Sequence, residues 1–86
     1  MKNEDVVKSF YEGKPNERPS LSTNGYKLFS YKTVIAQKVV IDDKEKIIKN
    51  ITKYSPTTSK HQFYVDNFDY VVTDVPRGAT DLVKYM

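Results

Sequence analysis

The sequence contains no cysteine and no tryptophan, only three glycines, and no long run of apolar residues. Without cysteine there is neither a disulfide framework nor a thiolate zinc site. The three glycines, Gly13, Gly25 and Gly78, lie too far apart to form a glycine-rich phosphate-binding loop. No apolar stretch approaches the roughly 20 residues that cross a bilayer, and the first residues lack the apolar core of a signal peptide. We therefore expect a cytoplasmic protein without membrane contacts.

Histidine is also scarce, and this bears on catalysis. The only histidine is His61. Nucleophilic catalysis requires a base beside a hydroxyl. Thr57, Thr58 and Ser59 are close to His61 in sequence, but within one helical turn a hydroxyl seldom reaches the imidazole of residue i+2. One histidine without cysteine also supplies too few ligands for a typical transition-metal site. We expect no enzymatic activity, no metal and no cofactor.

The charges that are present are divided unevenly along the chain. Residues 1–26 hold four basic and four acidic side chains, residues 27–60 hold eight lysines and three acidic residues, and residues 61–86 hold two basic and four acidic residues. The net charge of +3 therefore belongs to the middle third. This asymmetry indicates an anion-binding face, although lysines on the solvent side of strands give the same pattern. Only two arginines are present, which weakens the case for bidentate phosphate recognition.

The first part of the chain predicts a helix followed by a loop. The helix is expected within residues 1–12, where Asn3 is suited to cap it and Val6 and Phe10 lie on one apolar face. Residues 13–20 contain two prolines and are expected to be a loop. Such a tether would also allow the helix to exchange between two chains, so a homodimer is among the expected states.

A β-meander is predicted over residues 21–53. Asn24-Gly25 between β-forming residues indicates a hairpin turn in which both residues have positive φ. A third strand is expected over 33–41, with Ile35, Val39 and Ile41 on the core face, and a fourth over 46–52 after the charged turn 42–45.

A capped helix is predicted over residues 55–68. Ser55 is held extended by the following proline, and Ser59 with Gln62 forms the spacing of a capping box. Tyr64, Val65 and Phe68 would then share the face of His61, so His61 is expected to be a packed, hydrogen-bonded histidine.

The last part of the chain, residues 69–86, predicts a strand over 70–75 and a short terminal helix. Thr80 is suited to cap that helix, with Leu82, Val83 and Met86 facing the body. Altogether, the expected fold is a single domain, 1–86, of the α+β class. It contains a small antiparallel meander of about four to five strands, an N-terminal helix and a helix after residue 56.

Two segments carry a resemblance to a known family. The first is L-F-S-Y-x-T-x-I-A from Leu28, and the second is N-x-T-K-Y-S-x-T-T-S-K-H-Q from Asn50. Together they resemble small proteins of phages, archaeal viruses and other mobile elements. The resemblance implies a mobile-element origin and a meander followed by a helix, and it implies no activity. Proteins of such origin often bind nucleic acid or block host defence, including as anti-CRISPR inhibitors.

The preferred function is therefore a nonenzymatic binding protein that contacts nucleic acid through its Lys-rich middle. The alternative is an inhibitor that docks on a host defence protein. The start of the capped helix would hold a phosphate on amides, hydroxyls and one ammonium, and nearby lysines would extend that site. The candidate binding residues are Lys46, Lys49, Lys53, Thr57, Thr58, Ser59 and Lys60.

Overall fold

The computed structural model describes residues 3–86 and confirms the α+β class with an N-terminal helix. The first two residues of the predicted helix 1–12 lie outside the described residues. None of the helices within residues 3–86 is long and apolar enough to cross a membrane. In chain order, the elements are α1 (Asn3–Glu12), β1 (Pro15–Glu17), β2 (Leu21–Asn24), β3 (Lys27–Ser30), β4 (Thr33–Ile41), β5 (Lys44–Asn50), α2 (Pro56–Phe63), β6 (Tyr70–Val72) and a 3-10 turn (Val83–Tyr85).

The six strands form one sheet in the order of the chain. Strands β1 to β5 pair antiparallel, as the meander predicted, and β6 then lies parallel to β5 after the α2 crossover. Strand β1 falls inside the predicted loop 13–20. That prediction was wrong because a proline at the start of a three-residue edge strand leaves no strand pattern in the sequence.

The β2–β3 turn differs from the predicted one by a residue. Asn24 is the last residue of β2, and its Oδ1 accepts hydrogen bonds from the amides of Tyr26 and Lys27, both at 2.9 Å. Of the predicted pair, only Gly25 has a positive φ, 98°. A Cβ there would lie 2.7 Å from the Gly13 carbonyl oxygen, so the close approach of that loop also requires glycine.

The β4–β5 turn is tighter than predicted. Asp42 and Asp43 alone form the loop, with φ values of 52° and 63°, the pattern of a type I′ hairpin. Strand β5 therefore starts at Lys44, which the sequence placed in the turn.

Helix α1 covers one face of the sheet. Val6, Val7 and Phe10 are buried against a cluster that includes Leu21 and Leu28. Asn3 was expected to cap this helix, and that prediction was wrong. It lies within the helix, and its Nδ2 atom is 3.2 Å from His61 Nε2.

The C-terminal segment 73–86 covers the opposite face. Leu82 is fully buried with Val34 and Ile48, whereas Val83 and Met86 are 47% and 55% exposed. The predicted terminal helix is only a 3-10 turn, without a side-chain cap from Thr80. Two of the three side chains expected to face the body therefore face solvent.

Strand β4 is buried at one end and exposed at the other. Val34, Ile35 and Ala36 are inaccessible to solvent, which confirms Ile35 as a core residue. Val39 is half-buried and Val40 is 73% exposed. The prediction that Ile35, Val39 and Ile41 share one core face was wrong, because Ile35 belongs to the cluster under α1 whereas Val39 packs against the cluster on the opposite face. The β3–β4 ladder shifts register at this point, with Leu28 paired to Ala36 and Phe29 to Val34, and a one-residue shift moves the following side chains to the other face.

Candidate functional site

Helix α2 starts earlier than the capping box predicted. Ser55 is the N-cap, with an extended backbone (φ −143°, ψ 163°), and its Oγ accepts a hydrogen bond from the Thr58 amide at 3.2 Å. Pro56 follows at the first helical position, where its missing amide hydrogen costs nothing.

The predicted Ser59–Gln62 capping box is absent. The Ser59 amide donates to the Ser55 carbonyl, and the Gln62 side chain donates to the carbonyls of Asn50 and Thr52 at 2.7 and 2.9 Å. The helix also ends at Phe63, so Phe68 lies outside it.

A cleft of about 590 Å³ opens beside this helix start. Two of its lining residues are cations, Lys32 and Arg77, and none is acidic. An anion entering the cleft would therefore meet favourable charges without a competing carboxylate. The remaining lining residues are Ser30, Tyr31, Thr33, Tyr54, Ser55, Thr57, Thr58 and Gly78.

Each cation of the cleft lies in a turn of the chain. Arg77 follows the β6 segment, and its Nη2 donates to the Tyr54 carbonyl at 2.9 Å. The adjacent Gly78 amide donates to Thr33 Oγ1 at 2.8 Å, which ties this turn to the start of β4. Lys32 is exposed in the β3–β4 turn. The two charges thus reach the cleft from segments that are distant in sequence.

Tyr31 occupies a strained position at the cleft. It is the first residue of the two-residue β3–β4 turn, with φ 58°, a region that bulky side chains rarely adopt. Its side chain is 55% exposed, and its ring centroid lies 6.3 Å from that of His61. Strain of this kind is retained only where the surroundings fix it, as at binding sites.

A buried polar network forms one wall of the cleft. His61 is 1% exposed, and its Nδ1 lies 2.8 Å from Ser30 Oγ, which in turn lies 3.0 Å from Thr58 Oγ1. The Asn3 amide nitrogen donates to His61 Nε2, so Nδ1 carries the proton and donates to Ser30. This confirms the prediction of a packed, hydrogen-bonded histidine.

The same surroundings favour the neutral form of this histidine. Burial lowers the pKa of His61 below its ordinary 6.5, and the nearby Lys60 charge lowers it further. His61 therefore connects α1, β3 and α2 as a neutral hydrogen-bonding group.

Of the four predicted site residues on α2, two line the cleft and two do not. Thr57 and Thr58 line the cleft, Thr57 exposed and Thr58 buried in the polar network. Ser59 and Lys60 are exposed on the helix, and Lys53 is exposed before it, but none of these three lines the cleft.

The two predicted lysines on β5 lie elsewhere. Lys46 and Lys49 are three positions apart on the strand and so point to opposite faces of the sheet. Lys46 Nζ lies 4.0 Å from Asp69 Oδ1. Lys49 Nζ lies 4.8 Å from the centre of the Phe68 ring, and burial lowers its pKa. The structure therefore does not gather the lysines of the middle third into one surface.

Sequence reasoning missed both cations of the cleft. Lys32 was counted only as part of the charged middle, and Arg77 only as one of the two basic residues of segment 61–86. A usable indication was nevertheless present. Eight lining residues belong to the two segments quoted for the family resemblance. Lys32 stands at an unspecified position, and seven stand at specified ones: Ser30, Tyr31, Thr33, Tyr54, Ser55, Thr57 and Thr58. The two segments meet at this cleft in space.

A family model matches residues 2–80, nearly the whole chain, and is described as a family of unknown function (DUF8033). The chain belongs to this family. The matched range includes every residue that lines the cleft. No curated protein and no solved structure matches the chain. Within residues 3–86, no group of three or more His, Asp or Glu side chains is arranged to hold a metal ion.

Proposed function

We propose that the protein is a nonenzymatic nucleic-acid-binding protein that takes phosphate groups into the cleft beside α2. The observation that carries the proposal is the composition of the cleft, which joins Lys32, Arg77 and an exposed Tyr31 without any carboxylate. Phosphate and base are the two chemical groups that such a combination recognises.

The phosphate contacts follow from the geometry of the helix start. The first turn of α2 carries partial positive charge, and Pro56 leaves the Thr57 amide as its first donor. The Thr58 amide is already bonded to Ser55 Oγ. Lys32 and Arg77 supply the full positive charges, and the Thr57 hydroxyl supplies a further donor.

Tyr31 gives the proposal its preference for single strands. Its ring is more than half exposed at the cleft, and an aromatic face stacks on an unpaired base of any sequence. In a duplex the bases are stacked on each other and do not offer that face. We therefore propose a single-stranded ligand, contacted largely independently of sequence.

The polar network supports a binding role for the wall of the cleft. Ser30 is 1% exposed, so its hydroxyl is not presented to a substrate even though it touches His61. The network instead fixes the relative positions of β3 and α2. The resemblance of the cleft segments to proteins of phages and archaeal viruses supports a mobile-element origin as part of the same proposal.

Fluorescence anisotropy with a labelled single-stranded oligonucleotide tests this function. We expect Lys32→Glu and Arg77→Glu each to weaken binding strongly at low salt and to reduce the slope of log affinity against log salt by about 0.7 or more. Tyr31→Ala should weaken binding by roughly 1–3 kcal/mol through lost stacking.

The matched control is Lys44→Glu, which makes the same change of charge. Lys44 is exposed at the far end of the β4–β5 hairpin, roughly 25–30 Å along β4 from the cleft. The Lys44→Glu variant should retain most of the affinity for the oligonucleotide, with a small loss caused by the change in net charge alone. Equal losses in Lys44→Glu and Lys32→Glu, or no binding at low salt, would refute the cleft as the contact.

The second candidate is an inhibitor that docks on a host defence protein. The free edge of the sheet at β6 favours it, because Tyr70 and Val71 are 38% and 50% exposed there. Unpaired edge strands accept a further strand from a partner. For this candidate, Val71→Lys should abolish inhibition of the defence protein while Lys32→Glu leaves it intact. If Lys32→Glu abolishes inhibition and Val71→Lys leaves it intact, the cleft is the contact surface instead.

A further inference from the structure

A second depression, of about 450 Å³, lies between α1 and the end of α2. On α1 its lining residues are Glu4, Val7, Lys8 and Tyr11, which follow the i, i+3, i+4, i+7 spacing of one helical stripe. This stripe borders the face that α1 buries in the core and shares Val7 with it. We refer to the depression as the α1 groove.

The rim of the α1 groove carries an unusually exposed aromatic residue. Phe63, the last residue of α2, is 80% exposed, although transfer of a phenyl ring out of water has a favourable free energy. Tyr64 lines the groove beside it and is only partly exposed. An exposed apolar side chain next to an open apolar groove marks an interaction surface.

The charges of the α1 groove point to its occupant. Three charged residues line it, Glu4, Lys8 and Asp66, of which Glu4 and Lys8 lie on α1, one helical turn apart and on either side of Val7. In the described part of the chain, neither Glu4 nor Lys8 is in an ion pair. A second α1 helix packed antiparallel about a two-fold axis midway between them would set each Glu4 against the Lys8 of the other copy. An unrelated partner would need one group opposite Glu4 and another opposite Lys8. A two-fold axis provides both from the same pair of residues in the second copy.

We propose that the α1 groove is the interface of a homodimer. Two copies pack α1 against α1 in antiparallel fashion, and Phe63 of each copy enters the groove of the other. The proposal is independent of nucleic-acid binding, because Lys32 and Arg77 are not among the residues that line the groove. Dimerisation would present two clefts in one particle.

Sedimentation velocity over a concentration series from micromolar to near-millimolar tests the dimer. The wild-type chain should approach about twice its 10.0 kDa mass with increasing concentration. Phe63→Asp should remain monomeric throughout the series, because a carboxylate would have to be buried in the groove. The matched control is Val40→Asp, at another exposed apolar position (73%), which should dimerise as the wild type does.

A charge-reversal series tests the antiparallel arrangement itself. Glu4→Lys and Lys8→Glu each place like charges opposite one another twice, so each should raise the dimer dissociation constant by about tenfold, or about 1.4 kcal/mol. The double variant Glu4→Lys/Lys8→Glu restores opposite charges and should return to nearly the wild-type value. Circular dichroism and thermal melts establish that each variant is folded.

Three results would overturn the proposal. A wild-type chain that stays monomeric over the whole series has no such interface, whatever else the groove binds. A dimer that survives Phe63→Asp uses another surface. A double variant no tighter than the single reversals shows that Glu4 and Lys8 do not face each other across a two-fold axis.

Discussion

At the scale of single residues, His61 shows what local pattern can and cannot predict. Its burial was predicted from an apolar helix face that included Phe68, but α2 ends at Phe63, so the burial is real while the predicted face is not. The residues that surround it were not predicted. The hydrogen-bond partners Ser30 and Asn3 are 31 and 58 positions away in the sequence. Such contacts depend on how β3 and α1 are placed in space, and no local spacing encodes them. Lys32 and Arg77 were missed for the same reason.

The neutral state of His61 predicts a pH dependence of stability. Burial lowers its folded pKa below the ordinary 6.5, so on acidification the unfolded chain takes up the proton first. The full contribution to stability is present above about pH 6.5 and is lost as the pH falls below it, by at most about 1.4 kcal/mol per pH unit. Urea unfolding between pH 8 and pH 5 measures this slope.

His61→Gln provides the comparison for that measurement. Glutamine keeps a polar side chain at the position but does not titrate, so the slope over this range should flatten. Asp81 has a pKa lowered from 3.8 by its hydrogen bond from Gln37, and its contribution falls in a more acidic range. Equal slopes in the wild type and His61→Gln would show that another group titrates.

At the scale of elements, long patterns were predicted better than short ones. Strand β4 spans Thr33–Ile41, the residues expected from its continuous apolar and β-branched run. Strand β1 has three residues, too few for a period to show, and it was missed. Strand β6 was predicted over 70–75 and starts where expected, but it spans only Tyr70–Val72. Two starts were possible for α2, and the helix begins after Ser55. The Gln62 side chain does not close a capping box, since it bonds to the carbonyls of Asn50, at the end of β5, and of Thr52.

The actual start of α2 predicts which serine matters for stability. Ser55→Ala removes the side chain that accepts from the Thr58 amide and should cost roughly 0.5–2 kcal/mol of the free energy of unfolding. Ser59→Ala changes an exposed residue inside the helix and should stay within about 0.5 kcal/mol of wild type. Urea titrations of the two variants give both values. A larger loss of unfolding free energy in Ser59→Ala than in Ser55→Ala would show that the Ser59–Gln62 capping box forms after all.

At the scale of the whole molecule, one sheet separates two hydrophobic clusters. Helix α1 covers the first, and the C-terminal segment covers the second, which contains Val34, Ile48, Val75 and Leu82. Composition predicted a small sheet with little core to spare. It did not predict that a segment without regular structure would close one face, because that role depends on a few buried side chains and carries no periodicity.

The C-terminal segment is fastened to the sheet at several points. The Leu82 amide donates to Gln37 Oε1 at 2.7 Å, and the Val34 amide donates to the Ala79 carbonyl at 2.9 Å. Both fastenings attach to β4, the strand that also contributes Ile35 to the first cluster. Because the two clusters share this strand, we expect them to unfold in a single transition.

Leu82→Ala tests that cooperativity. Removing this fully buried side chain should cost about 2–5 kcal/mol, a large part of the 5–15 kcal/mol typical of a whole domain. Val83→Ala, at the adjacent exposed position, is the matched control and should be nearly neutral. Native-state hydrogen exchange distinguishes the two modes of unfolding. If the two clusters unfold together, the α1 amides should lose as much hydrogen-exchange protection in Leu82→Ala as the amides near residue 82. Loss confined to residues 73–86 would mean that the C-terminal segment detaches alone, leaving the α1 side folded.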